Sequence, residues 1–379
     1  MDYQAHNEQV KQVWDTFNAG APIRMPVILG INARYYMPLP EVNPQSIDFQ
    51  HYTNDPAVML DIQMRCDRYK RMHIPADHEM GLPEAGWAVH VDFQNYYEAA
   101  WFGCGVLFID GNVPDTRPLL TADSRHRLFD AGLPDPESGI MSQALAYYET
   151  MTALAKTVTL DGLPPVVGLP GCTTGTDGPF TMACELRGAT EMCLELYEDP
   201  TYACQLLDYI TDATIQRIRH WRAAFGLPET FSYGFADDSI ALLSVPQYEQ
   251  FILPRHRRLI DAFSDGSHSS IHLCGNAGHL FSTLKEKLDI YSFDTGFPLA
   301  HGAIVQQLGP DVRINGGPHV DLLRLGTPEA VAQETQRIIG AVTPHTRWFV
   351  MREANNLAPG TPLANLQAMY DTVCTYGQY

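Results

Sequence analysis

Residues 269–293, SSIHLCGNAGHLFSTLKEKLDIYSF, contain a strand, a helix and a second strand in immediate succession. The short apolar run at 269–273 predicts a strand, and 277–286 has the amphipathic spacing of a helix. The run at 289–293 predicts the next strand. Strands joined through a helix with such short connections are parallel, and the crossover between them is right-handed. This unit decides the fold class.

The same unit recurs along the chain in both directions from this segment. Further strands are predicted at 25–30, 164–169, 229–235, 311–315 and 347–351, and further helices at 56–72, 200–225, 246–263, 301–308, 328–341 and 362–377. About seven or eight strand–helix units are typical of an α/β chain folded as a single (β/α)8 TIM-type barrel. A doubly wound sheet is the alternative, but no GxGxxG follows the first strand. We therefore predict one barrel domain over 1–379, with an N-terminal helix in 1–20 and an insertion in 73–145.

Composition narrows the class of protein. The 379 residues include 44 Asp+Glu and 25 Lys+Arg, a formal net charge of −19. Such acidity argues against nucleic acid or an anionic membrane as partner, since both require a basic surface. Neither a membrane-spanning run nor a secretory signal is evident, and the eight cysteines are not clustered. These features predict a globular protein of the reducing cytoplasm.

Polar side chains follow most of the predicted strands. In a barrel these positions meet at the C-terminal rim, where active sites form. Packing alone would not place chemically active groups after five consecutive strands, so we predict a functional site at this rim. The groups are Asn32, Arg34, Cys172, Asp237, Asp238, Ser239, His272, Cys274, Asp294, His319, Arg352, Glu353 and Asn355.

Some of these groups suggest specific chemistry. Residues i and i+2 of a strand point to the same side, so His272 and Cys274 could reach one metal ion. Nitrogen and sulfur donors suit Zn²⁺, although a third protein ligand is needed. The run 237–239 either caps the following helix or binds a substrate hydroxyl or amine. The pair 352–353 either contacts substrate or forms an ion pair that braces the rim.

Several segments resemble the uroporphyrinogen decarboxylase superfamily, which includes the corrinoid-linked methyltransferases of the methylcobamide:coenzyme M type. The resemblance covers most of the chain from about residue 20 and implies a distorted (β/α)8 barrel with a deep cleft at the C-terminal rim. The segments that carry it are GPFTMACELRG (178–188), LYEDP (196–200), ADDSIALLSVPQYEQFILPRHRRLIDAF (236–263), IHLCGNAGHL (271–280), FDTGFP (293–298), GGPHVDLLRLGTPEAV (316–331) and NNLAPGTPLANLQAMY (355–370).

Departures from the decarboxylase pattern argue against true uroporphyrinogen decarboxylation. Arg34 matches one of the two arginines that hold substrate carboxylates, but the other position is Gly30. A tetrapyrrole with eight carboxylates requires such bidentate partners. Asp77 matches the pyrrole-binding aspartate and Ser239 the serine. The tyrosine position falls on Glu185, and the C-terminal histidine position on Asn355.

The resemblance is closer to the methyltransferase branch, whose enzymes carry His-x-Cys and a later cysteine as zinc ligands. His272 and Cys274 match the first two ligands, whereas the third position falls on Asn355, a poor ligand for zinc. In that branch zinc converts a substrate thiol into the thiolate that attacks the methyl group of a corrinoid. Candidates for the missing ligand are Glu353, which we prefer, and Asp294, His319 and Cys172.

Our leading hypothesis is a methyltransferase-like enzyme that moves a methyl group between a corrinoid, or a corrinoid protein, and a small acceptor with the help of zinc. Asp237, Asp238, Arg352 and Asn355 would contact the substrate. One alternative is a metal-independent decarboxylase (lyase) that uses Arg34 and Asp77. Another is a non-catalytic homologue that binds a corrinoid or another ligand. Dimers occur in the family, and the oligomeric state stays open.

Overall fold

Nine strands lie within residues 2–109 and 111–379, the parts of the chain that the computed structural model describes. They are β1 (Trp87–Val89), β2 (Val106–Leu107), β3 (Asp115–Thr116), β4 (Pro165–Val167), β5 (Gly234–Ala236), β6 (Ser269–Leu273), β7 (Ile290–Thr295), β8 (Arg313–Gly316) and β9 (Phe349–Met351). Strands β5 to β9 form one parallel sheet in chain order, as the repeated unit predicts. Strands β1 and β4 form a parallel pair, and β2 and β3 an antiparallel one.

From β5 onward at least one helix follows each strand, whereas four helices precede β1. The helices are α1 (Tyr3–Asn18), α2 (Ala33–Tyr36), α3 (Phe49–Asn54), α4 (Pro56–His73), α5 (Tyr97–Trp101), α6 (Arg127–Ala131), α7 (Ile140–Leu154), α8 (Gly171–Thr174), α9 (Pro179–Arg187), α10 (Ala189–Glu198), α11 (Pro200–Ala224), α12 (Val245–Gln247), α13 (Leu253–Phe263), α14 (Phe281–Leu288), α15 (His301–Leu308), α16 (Val320–Leu325), α17 (Pro328–Val342) and α18 (Leu363–Tyr376). Within the described residues, no helix is long and apolar enough to span a membrane.

The segment predicted as the first strand pairs with the last strand of the sheet. Val27 forms a parallel bridge with Met351 of β9, and the Ile28 N–H donates to the Met351 carbonyl over 2.9 Å. Pro26 has no N–H to donate, which shortens this ladder. On its other side, Val27 accepts from the Asp77 N–H over 2.8 Å. The first and last parallel strands are therefore neighbours, which agrees with the predicted α/β barrel.

The helix predicted over 246–263 is interrupted. It consists of α12, a π-helical turn at Tyr248–Ile252 and α13. Pro254 explains the break, because a proline inside a helix offers no N–H to the preceding turn and its ring clashes there. After the π turn α13 is amphipathic, and Leu259, Ile260 and Phe263 on its apolar side are buried.

The N-terminal helix predicted in 1–20 is α1. The Asp2 carboxylate caps α1 by accepting hydrogen bonds from backbone N–H groups of its first turn. Val10, Val13 and Phe17 lie on the side of α1 that is buried. The segment 73–145, predicted as an insertion, holds β1 to β3 and short helices, and its status as an insertion stays a prediction.

Candidate functional site

The register of the sheet brings the residues at the C-terminal rim together. Parallel pairing places His272 of β6 beside Ala236 of β5 on one side and Asp294 of β7 on the other. Two residues further along, Cys274 points to the same side as His272, as the period of a strand requires. Their Nε2 and Sγ atoms are 2.9 Å apart.

A third side chain completes a group of metal-ligand type. Potential ligand atoms of Asp238, His272 and Cys274 all lie within 4.8 Å of one another, and all three side chains are partly exposed. The Asp238 carboxylate also accepts from the Cys274 N–H over 2.6 Å, which fixes it beside the sulfur. Imidazole, thiolate and carboxylate are a donor set that suits zinc. Cys274 Sγ lies 3.2 Å from Asn355 Oδ1, so Asn355 borders this group.

Asp294 and Arg352 orient the imidazole. His272 Nδ1 lies 2.6 Å from Asp294 Oδ2, and Arg352 Nη1 donates to both oxygens of Asp294 over 2.5 Å. Burial alone would lower the pKa of His272, but the hydrogen bonds to Asp294 and Cys274 raise it to about 10. Burial would likewise raise the pKa of Asp294, yet His272 and Arg352 hold it below its usual range. A carboxylate on Nδ1 leaves Nε2 as the nitrogen that faces a metal.

Glu353, which the sequence analysis preferred as the third zinc ligand, does not belong to the group formed by Asp238, His272 and Cys274. Its Oε1 accepts from the Gly30 N–H (2.8 Å) and from Arg352 Nη2 (2.7 Å), and the side chain is fully buried. The described residues offer no hydrogen-bond donor to Oε2. A Cβ at Gly30 would lie 2.3 Å from Arg352 Nη2, so a larger residue here would displace the ends of the Arg352 and Glu353 side chains. Arg352 thus occupies the space next to the position where the decarboxylase pattern has its second arginine.

Glu353 should make stability depend on pH. Burial raises its pKa from the ordinary 4.5 to about 7, although Arg352 opposes the shift. The native state binds this proton more tightly than the unfolded chain does. The stability linked to it is therefore full below about pH 4.5 and is lost as the pH rises through about 7.

The variant Glu353→Gln, which cannot titrate, should remove this dependence. We expect the free energy of unfolding of the wild type, measured by urea titration relative to Glu353→Gln, to fall between about pH 5 and about pH 8. Glu84→Gln, at an exposed position, is the control and should show no such trend. A constant difference across this range would contradict the assignment.

Asp237 does not face the rim. Its carboxylate is fully buried and accepts from the backbone N–H groups of Phe180 (3.1 Å) and Thr181 (2.7 Å) and from the Thr181 hydroxyl. His256 Nε2 lies 2.9 Å from it. Asp237 therefore caps α9, which precedes it in the chain, and not the following helix that the sequence suggested. The Ser239 N–H donates to the Thr181 hydroxyl in the same region.

Asp77 is also placed away from the cleft, contrary to its predicted role. It forms a buried ion pair with Arg24 (2.6 Å) and accepts from the Val27 N–H (2.7 Å) and the Tyr370 hydroxyl (3.2 Å). These contacts hold Asp77 at the start of the segment 25–30, whereas the C-terminal rim lies at the end of that segment. A carboxylate with all these donors is structural.

The remaining predicted groups lie outside the metal-ligand group. Arg34 lines a cavity of about 430 Å³ together with Met37, Phe49 and Pro359, and its buried Nε has no hydrogen-bond partner among the described residues. His319 caps α16 by accepting from the Asp321 N–H over 3.0 Å. Cys172 is buried, and burial raises the pKa of its thiol to about 12.

Sequence reasoning did not single out Glu98, Arg217 or Asp177. Glu98 and Arg217 are fully buried and paired over 2.5 Å, although 118 positions intervene between them in the sequence. Asp177 precedes α9 at the rim. Asp177 follows the strand predicted at 164–169, which is the position expected for a rim residue, but it belongs to no recognisable sequence motif.

Comparisons with known proteins identify the family of this chain. Residues 10–376 match the family model described as uroporphyrinogen decarboxylase (URO-D). A methylated-thiol–coenzyme M methyltransferase of Methanosarcina mazei is 30% identical over 287 residues, which cover 74% of this chain and 70% of that protein. A uroporphyrinogen decarboxylase of Anaeromyxobacter dehalogenans is 27% identical over 60% of this chain and 61% of its own.

A solved structure shares the fold. The structure of a methyltransferase from Methanosarcina mazei superposes with a TM-score of 0.66, covering 97% of this chain and 98% of that chain at 17% identity. At that identity the likeness concerns the fold alone. The family match confirms the expected resemblance, and the higher identity to the methyltransferase than to the decarboxylase confirms its leaning towards the methyltransferase branch.

Proposed function

This chain belongs to the uroporphyrinogen decarboxylase family, and we propose that it is a zinc-assisted methyltransferase that moves a methyl group between the sulfur of a small thiol and a corrinoid. The similarity to a relative named for methylated thiols supports the sulfur substrate. We propose a corrinoid protein as the partner that presents the corrinoid.

The observation that carries the proposal is the group formed by Asp238, His272 and Cys274. These residues would hold the zinc ion, with Asp238 replacing the cysteine that the methyltransferases carry at the position of Asn355. Zinc bound there would lower the pKa of a thiol so that a strong nucleophile forms near neutral pH. The Asp294 carboxylate, held by Arg352, would keep His272 Nε2 directed at the ion.

The cavity beside Arg34 would hold the rest of the substrate. Its wall is largely apolar and includes one charged side chain of each sign, Arg34 and Asp48. Pro359 in that wall belongs to the same loop as Asn355, which borders the metal-ligand group. A thiol with a short apolar body and an anionic end that pairs with Arg34 would suit this cavity.

No specific observation favours the decarboxylase alternative. Asp77, which would have to stabilise a protonated intermediate, is paired with Arg24 in the interior. At the tyrosine position of the decarboxylases, Glu185 accepts from the Thr116 hydroxyl over 3.2 Å. The non-catalytic alternative rested on Asn355, and Asp238 offers a replacement ligand.

Metal removal tests the proposal. Protein purified without chelator should contain about one zinc per chain and should transfer the methyl group of methylcobalamin to a small thiol such as 2-mercaptoethanol, followed by the absorbance of the corrinoid. Extraction of the metal should abolish transfer, and added zinc should restore it. Protein that transfers methyl groups equally well without metal would contradict the zinc mechanism, and protein that never transfers them would contradict the function.

A further inference from the structure

Three fully buried side chains form a hydrogen-bonded chain that ends one residue before Asp238. They are Tyr248, His256 and Asp237, each 0% exposed. The Tyr248 hydroxyl lies 3.1 Å from His256 Nδ1, and His256 Nε2 lies 2.9 Å from Asp237 Oδ2. A carboxylate accepts hydrogen bonds, so His256 Nε2 is the donor and its Nδ1 can accept from the tyrosine. The chain therefore leads from the interior to the neighbour of a proposed metal ligand.

The π-helical turn places Tyr248 and His256 on one side of their helix. Tyr248–Ile252 is this turn, and His256 follows it in α13. A π turn contains about one residue more than an α-helical turn, so the eight positions between the two residues amount to about two whole turns. In an unbroken α-helix, Tyr248 would be rotated about 80° away from His256. Single π turns are frequent at functional sites, which directs attention to the residues that this one aligns.

Asp237 and Ser239, the residues on either side of Asp238, are held by the same threonine. Thr181 donates its N–H (2.7 Å) and its hydroxyl (2.8 Å) to Asp237 Oδ1, and its hydroxyl accepts from the Ser239 N–H over 3.0 Å. The Asp237 N–H also donates to the His272 carbonyl over 3.4 Å. The backbone of Asp238 is thus fixed on both sides, and its place beside β6 depends on where the Asp237 carboxylate is held.

His256 connects that carboxylate to a different helix from its other donors. Among the described residues, the other hydrogen bonds to Asp237 come from the backbone of Phe180 and from Thr181, which both belong to α9. Without His256, Asp237 Oδ2 would keep only the Phe180 N–H at 3.1 Å. The end of β5 would then be fastened to α9 alone, and the turn that carries Asp238 would be less firmly held.

We propose that His256 is a positioning residue that holds Asp238 in place to bind the metal, and that it acts through Asp237. This inference rests on the proposed function, because Asp238 is the third ligand only in the zinc site proposed above. A ligand that is already held in place before the ion arrives loses less freedom on binding, which strengthens the binding. Residues that touch metal ligands typically contribute about 10- to 100-fold to affinity. His256 acts from one residue further away, so we expect the lower end of this range.

Zinc affinity measured by competition with a chelator tests the inference. His256→Leu removes both hydrogen bonds of the imidazole, and we expect it to bind zinc about 10-fold more weakly than the wild type. Tyr248→Phe removes only the hydroxyl, and we expect a loss of about 3-fold. His256→Gln, whose amide can still donate to Asp237, should recover most of the wild-type affinity.

Phe263→Leu is the matched control for loss of packing in the same helix. Phe263 is the last residue of α13, and its buried ring packs against Phe231 and Tyr233, which precede β5. The variant should lower the free energy of unfolding, because it removes buried apolar volume, and it should leave the zinc affinity unchanged.

A double variant shows whether His256 acts through Asp238. Once Asp238→Asn has removed the ligand, its position no longer matters, so adding His256→Leu should cost no further zinc affinity. Co²⁺ bound in place of zinc gives a second readout, since its visible absorption depends on the ligands. The Co²⁺ spectrum of His256→Leu should be shifted towards that of Asp238→Asn.

Four results would count against the inference. Wild-type zinc affinity in folded His256→Leu, or additive losses in the double variant, would overturn the positioning role alone. A loss in Phe263→Leu as large as that in His256→Leu would do the same, because packing would then explain both. If His256→Leu does not fold, Tyr248→Phe decides, and wild-type affinity in that variant would refute the role. Wild-type protein that binds no zinc would instead refute the proposed zinc site, and this inference with it.

Discussion

Replacing His272 by Ala or Asp238 by Asn is expected to abolish stoichiometric zinc binding, whereas Glu353→Gln should leave it intact. In the proposed site, His272 of β6 and Cys274 just after it would supply two ligands, and two ligands do not hold zinc against solvent. The third would come from Asp238, whose carboxylate is fixed beside the sulfur by the Cys274 N–H. Glu353 faces Gly30 on the other side of Arg352 and has no part in this group.

Zinc affinity measured by competition with a chelator distinguishes these cases. We expect a loss of at least about 100-fold for His272→Ala and Asp238→Asn, and a loss of about 10- to 100-fold for Asp294→Asn, which weakens only the orientation of the imidazole. Glu353→Gln is the matched control, because it removes a carboxylate of the same rim. Zinc lost from Glu353→Gln but retained by Asp238→Asn would reverse the assignment of the third ligand.

That His272 and Cys274 lie side by side was predictable from sequence, and that Asp238 joins them was not. A strand alternates with period two, so HxC alone places His272 and Cys274 on one side. Which other carboxylate joins them depends on how far β5 extends relative to β6, and that register is set by tertiary packing. The same alternation explains the error at Glu353. Adjacent residues after β9 point in different directions, and Arg352 is the one directed at Asp294.

The strand–helix order was predictable because each unit carries its own hydrophobic pattern. Boundaries failed where a proline acts against that pattern, as at Pro26 and Pro254. The role expected for Asp77 failed for another reason. Asp77 matches a family position, but Arg24 pairs with it in the interior of the protein. Nothing in the sequence around Asp77 indicates a partner 53 positions away.

The pair formed by Glu98 and Arg217 shows the same limit most clearly. Glu98 lies in a helix of five residues, and Arg217 lies inside the longest helix of the chain as described. Each looks like an ordinary charged helical residue in the sequence. Only the packing of α5 against α11 makes them a fully buried pair beneath the rim.

Glu98→Gln is expected to destabilise the protein by about 3–5 kcal/mol, because it leaves the Arg217 charge in the interior without its counter-ion. Both side chains are 0% exposed, so water cannot replace the lost partner. The carbonyls of Cys172 and Gly175 would still accept from Arg217, but neutral dipoles do not balance a buried charge. Urea unfolding at constant pH measures this loss.

A surface pair provides the control and shows why burial determines the size of the effect. Arg68 and Asp161 form an ion pair of similar length, 2.5 Å, but their side chains are 44% and 39% exposed. Asp161→Asn should therefore cost less than about 1 kcal/mol. Asp161 has φ +51°, which asparagine also tolerates, so no backbone strain is added. Equal losses for Glu98→Gln and Asp161→Asn would contradict the buried charge pair.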